Sequence, residues 1–472
     1  MKVRLAALGT MLLLVGCSLH QPTRVLLPVD PPPEYLENQA AVQPGLSAEQ
    51  WWLAFNDEHL NLLMTELFAH NLELVQSFAR LEQVESIVRI TRSAQSPALS
   101  AAGNLSRSRQ PGVMNDFTGD SRQLSLAAGF ELDLWGKLAA QSQAANLDLA
   151  ASRQDVQTLY LGLSARLADL YFIAVEQRAQ LALTDQIISS FTETAARVES
   201  RYRRGLVPAV DMYQARQSLA GAQAARHLFE ARLAEAEHAM GVLLGRYPER
   251  NPGGRLAQLP TAPDLFAVGI PAELVSQRPD LLAALQRVEA ADARVAVAIA
   301  DRFPSLSLSG NYGTLRQEVT AGLIKGDFWS LLGNLTMPVL DGGRRRAEVS
   351  RKEAVLHEAV AGYQQKVLAA FQDVEDALVN NFATGRRVAR LAETAQATGA
   401  TLRLSTERYL AGLVDYLPVL TAQRADADTR SRLLGAQRQL LSDRISMARA
   451  LGGAWMNEQM NARLQPAKDK QQ

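Results

Sequence analysis

The chain has 472 residues, 49 basic against 49 acidic side chains, 47% apolar residues and only 6% aromatic ones. That charge balance gives no sign of a nucleic-acid binder or a polybasic membrane-surface protein, and the length allows two or three ordinary domains or one large repetitive one. Cys17 is the only cysteine, which excludes a disulfide framework and a thiolate metal cluster.

Lys2 and Arg4 precede an apolar stretch over 5–15 that is too short to span a bilayer, the pattern of a secretory signal peptide over residues 1–16. The stretch ends in Leu14-Val15-Gly16-Cys17, which has the form of a bacterial lipobox. Cys17 is therefore expected to carry covalent lipid and to begin the mature chain, with more than one acyl chain for stable anchoring. Ser18 follows it, not Asp, which points to the outer rather than the inner membrane. Residues 17–50 form a lipid-anchored extended segment, with six prolines between 22 and 44. No later apolar run approaches the roughly 18 to 20 residues of a membrane-spanning helix, so a helical membrane protein is not expected.

The rest divides into two halves, 51–247 and 271–455, separated by a Pro/Gly-rich linker over 248–270 and followed by a flexible tail over 456–472. The halves repeat at one offset of 207 residues. Pro97-Ala-Leu-Ser-Ala-Ala-Gly-Asn104 meets Pro304-Ser-Leu-Ser-Leu-Ser-Gly-Asn311, and Arg201-Tyr-Arg-Arg-Gly-Leu-Val207 meets Arg408-Tyr-Leu-Ala-Gly-Leu-Val414. A period of that length is too long for a solenoid.

Each half reads as helix, strand pair, very long helix, tight turn and a further long helix. The strand pairs are expected at about 97–134 and 304–340. In the first pair Leu99, Ala101, Gly103 and Leu105, then Leu124, Leu126, Ala128 and Phe130, alternate with small or polar residues; Leu306, Leu308 and Tyr312, then Trp329, Leu331 and Leu335, do so in the second. A tilted outer-membrane strand needs roughly 9 to 11 such residues. Four strands cannot close a barrel and open edges are not tolerated in lipid, so several chains must share one barrel.

The long helices are expected over 137–204 and 344–409. Val156, Leu159, Leu163, Leu170 and Ile173 mark the seam of the first, and Val360, Tyr363, Val367, Ala370, Val374 and Ala377 that of the second. About 65 residues at 1.5 Å each give roughly 100 Å, beyond any ordinary globular helix. Joined to barrel strands, such helices continue the barrel as a tube. The fold class is therefore mainly α with a transmembrane β part. A lipid-anchored coiled-coil tether explains the helices and leaves the strands unexplained.

Several motifs together resemble the TolC-like outer-membrane efflux channels, in the NodT-type or OprM-like lipoprotein branch. They are Trp51-Trp-Leu-Ala-Phe55-Asn-Asp57, Arg278-Pro-Asp280, Phe303-Pro-Ser-Leu306, and the corner motifs Glu131-Leu-Asp-Leu-Trp135-Gly136-Lys137 and Pro338-Val-Leu-Asp341-Gly-Gly-Arg344. The resemblance implies a homotrimer in the outer membrane of a Gram-negative bacterium, with twelve strands in a shared β-barrel and twelve helix strings in a periplasmic α-barrel. It implies an exit duct of a tripartite efflux system for drugs or other small molecules. The partners would be a periplasmic adaptor (membrane fusion) protein, an inner-membrane pump of the proton-driven RND type, and outer-membrane lipid, with no nucleic acid. A duct for type I protein secretion would use a similar tube, so that alternative stays open.

No Gly-rich nucleotide loop, HExxH or GxSxG motif is present. His227 and His238 could share a helix face, but eleven residues separate them by about 16 Å, too far for one metal ion. Neither an enzyme nor a cofactor is expected, beyond the lipid on Cys17, and a duct without an ATP site must be passive. By the resemblance, the Gly205-Leu206-Val207 and Gly412-Leu413-Val414 turns are periplasmic tips where adaptor hairpins dock. Asp211 and Leu417 fall just past them as gate candidates, and Thr421 stands where relatives often place an Asp. The alternative for Leu417 is an ordinary helix-seam residue.

Overall fold

The computed structural model describes residues 20–23, 27–28, 30–36, 50–110, 117–250, 254, 256, 258–264, 271–319 and 322–452. A 3-10 turn, Trp51–Phe55, leads into α1 (Glu58–His70) and α2 (Leu72–Ser93), then strands β1 (Ala98–Gln110) and β2 (Phe117–Leu132). Next come α3 (Lys137–Arg203) and α4 (Ala209–Leu243). The second half repeats the order with α5 (Pro271–Gln277), α6 (Pro279–Ala300), β3 (Ser305–Val319), β4 (Gly322–Thr336), α7 (Arg344–Leu410) and α8 (Tyr416–Leu451). Both long helices have 67 residues.

The four strands form one antiparallel sheet in the order β1-β2-β3-β4, so the two halves meet through β2 and β3. Leu99, Leu126, Tyr312, Trp329, Leu331 and Leu335 share one face by register, as their alternation requires. The strands β1 and β4 are the sheet's two edges.

The corner motifs are caps. The Asp133 carboxylate accepts from the Leu138 N–H at 3.0 Å and the Ala139 N–H at 2.8 Å, and Asp341 accepts from Gly343 at 3.1 Å and Arg345 at 3.2 Å. Each satisfies donors that the first helical turn leaves unpaired. The Trp135 indole donates to the Pro304 carbonyl at 2.7 Å and its ring lies 5.1 Å from Phe303, so the corner and Phe303-Pro-Ser-Leu306 motifs pack on each other.

By contacts the chain forms two compact units. One contains Ala79–Gln154 and Leu282–Gln365, with the sheet; the other is mainly helical and its described residues include 50–78, 155–250 and 366–452. The Trp51-to-Asp57 motif belongs to the core of the helical unit. Trp51 stands edge-on to Trp52 and Phe55, Phe55 lies 5.0 Å from Phe172, and the Tyr171 hydroxyl donates to Asp57 at 2.7 Å. Arg278 of the Arg-Pro-Asp motif donates twice to Asp280, at 3.0 and 2.8 Å, to Asp373 at 2.9 Å and to the Ala450 carbonyl at 3.3 Å, joining α6 to α7 and α8.

Two expectations change. In α7 the stepped stripe is buried from Tyr363 to Ala377, with Val360 half-buried. In α3, Leu159, Leu170 and Ile173 are only half-buried, and the buried stripe runs through Val156, Tyr160, Leu163, Leu167 and Tyr171. The aromatic residues decide this, because α1 and the Trp51 turn bring Phe68 and Phe55 against Tyr160 and Phe172. Secondly, α3 contains an 18-residue window apolar enough to cross a bilayer, though no such stretch was expected after residue 17; 61% of the window is buried within the chain. Polar residues such as Gln157 and Ser164 interrupt any continuous apolar run in α3, and Tyr160, Leu161 and Leu163 between them are core.

Candidate functional site: the paired helical tips

Both long helices end in the same bonded turn. At the end of α3, Gly205 has φ +73°, its N–H donates to the Tyr202 carbonyl at 2.8 Å, and the Leu206 N–H donates to Arg201 at 3.0 Å. At the end of α7, Gly412 has φ +75°, its N–H donates to Tyr409 at 3.1 Å, and the Leu413 N–H donates to Arg408 at 2.9 Å. This is the Schellman pairing, with glycine at the left-handed position. A Cβ added at either glycine meets no atom within 4 Å, so backbone conformation rather than space selects glycine there.

The tips are held together by packing. Val198, Met212, Ala215, Tyr409, Tyr416, Val419 and Leu420 form one apolar cluster, and Val207 and Val414 fold back onto it. Leu206 and Leu413, between each glycine and valine, are exposed. The Arg201 guanidinium lies 4.6 Å from the centre of the Tyr409 ring and donates to the Tyr409 carbonyl at 3.1 Å, a cation–π contact with a hydrogen bond. The repeated Arg-Tyr pair is thus used asymmetrically: Tyr409 is 4% exposed and its counterpart Tyr202 40%.

Leu417 is 59% exposed, while Tyr416, Val419 and Leu420 beside it hold the seam. Within its own chain Leu417 is not a packing residue. Thr421, one turn on, is exposed on the same stripe. Val210, the counterpart of Leu417 at the 207-residue offset, is likewise 54% exposed.

Asp211 sits half-buried in the first turn of α4. Burial first, and then the nearby Asp415 carboxylate, raise its pKa above the ordinary aspartate value. Asp415 occupies the N-cap of α8 without a side-chain capping bond, and its contribution is not legible in the sequence. The repeat aligns it with Pro208, so internal comparison gives no acidic counterpart, and only the packing of the two tips brings the carboxylates near each other. Burial pushes the Tyr416 hydroxyl up to about 12, aided by Tyr409 and Asp211 and opposed by Arg424. Glu199, at the end of α3, is held below the ordinary glutamate range by hydrogen bonds from Arg203 and Arg216. The tips therefore combine exposed leucines, two neighbouring carboxylates and an aromatic core. Cys17 lies outside the described residues.

The sequence model of the outer membrane efflux protein family matches residues 63–246 and 270–453. The chain belongs to this family. OprJ, an outer membrane protein of Pseudomonas aeruginosa, is 31% identical over 442 residues, covering 91% of each chain. SilC of Salmonella typhimurium, a probable outer membrane lipoprotein, is 25% identical over 96% of this chain and 99% of its own. The structure of the outer-membrane channel OprN superposes with a TM-score of 0.84 at 26% identity, covering 93% of this chain and all of OprN. This outer membrane efflux protein is thus a TolC-like channel, an outer-membrane component of an efflux system.

Proposed function

We propose that the channel is a homotrimer and the passive exit duct of a tripartite system. It carries drugs or other small molecules from an inner-membrane pump of the proton-driven RND type, through a periplasmic adaptor, to the outside. The observation that carries this reading is the pair of long edge strands, β1 and β4, on a sheet with an apolar face. In lipid every backbone N–H and C=O must find a partner. The β1 edge of one copy can take the β4 edge of the next, a head-to-tail contact that closes as a ring. Native mass measurement of the detergent-solubilised protein is expected to give three chains, twelve strands in all. A functional monomer would sink the proposal.

At the other end, Leu206 and Leu413 offer paired apolar knobs to an adaptor's helical hairpin, beside the left-handed Gly205 and Gly412. Gly412→Trp is expected to strain the turn by about 1–3 kcal/mol, the range for a side chain at positive φ, and to abolish adaptor cross-linking at the tip. With open space around the site, the trimer should still assemble. Unchanged cross-linking and unchanged efflux would count against these tips as the docking site. Inside the tips, three copies of Leu417 form an apolar ring that closes the resting pore by dewetting, with Asp211 below it and Thr421 uncharged at the next level.

Cys17 carries the lipid, an assignment supported by its place in Leu14-Val15-Gly16-Cys17 and by the lipoprotein relative SilC. Cys17→Ser is expected to remove all acyl label from the mature chain. Label that persists in the variant would refute it.

A further inference from the structure

The two faces of the sheet are unlike. Leu99, Leu126, Trp329 and Leu331 fall on one, Ser100, Ser125, Asn311 and Asn334 on the other. The apolar face is the one that meets lipid in an outer-membrane barrel. Towards the hairpin ends, away from the helices, the apolar face gives way to Thr314 and Asp327 and then to a row of cations. There Leu105 stands opposite Arg122, Arg122 opposite Arg316, and Arg316 opposite Lys325. Three cations thus lie side by side across β2, β3 and β4, on strands about 4.8 Å apart.

The row's height can be worked out from the strand. Ten residues separate Leu306, the first lipid-face residue of β3, from Arg316. At about 3.4 Å per residue that is roughly 34 Å of strand. At a tilt of about 40° it becomes roughly 26 Å of height, close to the ≈ 25 Å apolar band of such barrels. Tyr312 and Trp329, paired four residues nearer the helices, lie on the same face roughly 10 Å of height below the row. The cations therefore sit at the outer headgroup level, where basic side chains on the lipid face are tolerated.

Like charges directly opposite repel, and among the described residues no hydrogen bond or ion pair relieves them. Among the described residues Arg122, Arg316 and Lys325 make no ion pair or side-chain hydrogen bond. The nearby carboxylates are turned elsewhere: Asp120 pairs with Arg107 at 3.6 Å, and Glu318 accepts from the Asp120 N–H at 3.3 Å. Asp327 lies one row inward, opposite Thr314. A row of three unneutralised cations at the headgroup level is complementary to phosphate, which guanidinium groups bind through paired N–H donors.

We propose that Arg122, Arg316 and Lys325 form a binding site for the phosphate groups of a phosphorylated glycolipid of the lipid A class in the outer leaflet. One such site would lie on each protomer, outside the duct, tying the barrel to its lipid ring. The proposal rests on the shared-barrel reading.

The test uses the full-length, assembled protein, stripped of bound lipid in a neutral detergent. It is titrated separately with bisphosphorylated lipid A, with the same lipid A dephosphorylated, and with inorganic phosphate. Bound lipid is counted by native mass spectrometry, and the thermal unfolding midpoint is followed in parallel. Bisphosphorylated lipid A is expected to bind at least tenfold more tightly than the dephosphorylated form and to raise the midpoint by several degrees. Inorganic phosphate is expected to leave the midpoint unchanged. The triple variant Arg122→Gln, Arg316→Gln, Lys325→Gln should assemble normally and lose at least tenfold in lipid A binding. Equal binding of the two lipid A forms by the wild type would overturn the site, as would undiminished binding by the assembled triple variant or an equal midpoint shift with inorganic phosphate. If the variant does not assemble, the wild-type comparison of the two lipid A forms decides. An oligomer without this preference refutes the lipid site alone, whereas a wild-type monomer refutes the barrel.

Discussion

Replacing Arg178 with methionine is expected to lower the unfolding free energy by about 3–5 kcal/mol, the range for breaking a buried ion pair from one side. Arg178 on α3 donates to Glu237 on α4 at 2.8 Å, and the two side chains are only 9% and 3% exposed. Methionine fills much of the same volume but leaves the Glu237 carboxylate buried without its cation. About 4 kcal/mol is nearly a factor of a thousand in the folded-to-unfolded ratio. The double variant Arg178→Met, Glu237→Leu removes both charges and should recover most of the loss, because two apolar groups avoid the desolvation penalty. Guanidinium unfolding of the solubilised protein, followed by helical circular dichroism, measures both. A single variant within about 1 kcal/mol of the wild type would show the pair to be dispensable. A double variant as unstable as the single would show that the arginine acts through packing rather than charge.

The second large effect is expected at the proposed gate. Leu417→Ala should raise resting conductance in planar bilayers several-fold, because a shorter side chain widens and wets an apolar ring. Asp211→Asn should reduce cation selectivity without opening the pore, since a carboxylate ring attracts cations through the low-dielectric wall. The pH dependence follows from the raised pKa of Asp211. A carboxyl whose folded pKa lies above its unfolded value favours the folded state when protonated. Tip packing should therefore tighten as pH falls through that raised value and weaken on ionisation as pH rises. Cation selectivity should fall over the same acid window, above the 3.8 of an ordinary aspartate, and Asp211→Asn should remove that component. Asp415, which lies near Asp211, should sustain part of the selectivity and of any divalent-cation block in Asp211→Asn. Wild-type conductance in Leu417→Ala would make Leu417 a contact between chains rather than a gate. Selectivity that titrates identically in Asp211→Asn would assign the acid dependence to another group.

The long-range plan of this protein is legible in its sequence for a physical reason. Period-two alternation leaves few alternatives to strands with one apolar face, and the offset of 207 residues places each motif twice. The strand pairs follow from the alternation and the recurrence of both glycine turns from the offset, while the long helices follow from their three/four-spaced apolar seams. Less legible is whatever depends on which copy of a motif wins a contact. Arg201 stacks on Tyr409 while Tyr202 faces outward, although both tyrosines sit in the same repeated sequence. The pairing of Asp211 with Asp415 is hidden similarly, because the offset aligns Asp415 with a proline. The α3 seam shifted by a residue because aromatic rings, too few to make a period, took the best-covered positions.

The strand order also carries a consequence for how the molecule is made. Within each hairpin the closest pairings are local: Gln110 meets Phe117, and Val319 meets Gly322. The central ladder is different, since Leu132 meets Leu306 and Ser121 meets Gln317, separations of 306 − 132 = 174 and 317 − 121 = 196 residues. During synthesis the first hairpin therefore exists long before the strand that must lie beside it. Isolated hairpins are marginal in water, and unpaired edges invite association with the wrong chain. Closing so distant a ladder is slow, so the chain crosses the periplasm with its apolar strands exposed and must be kept from aggregating until its second half arrives.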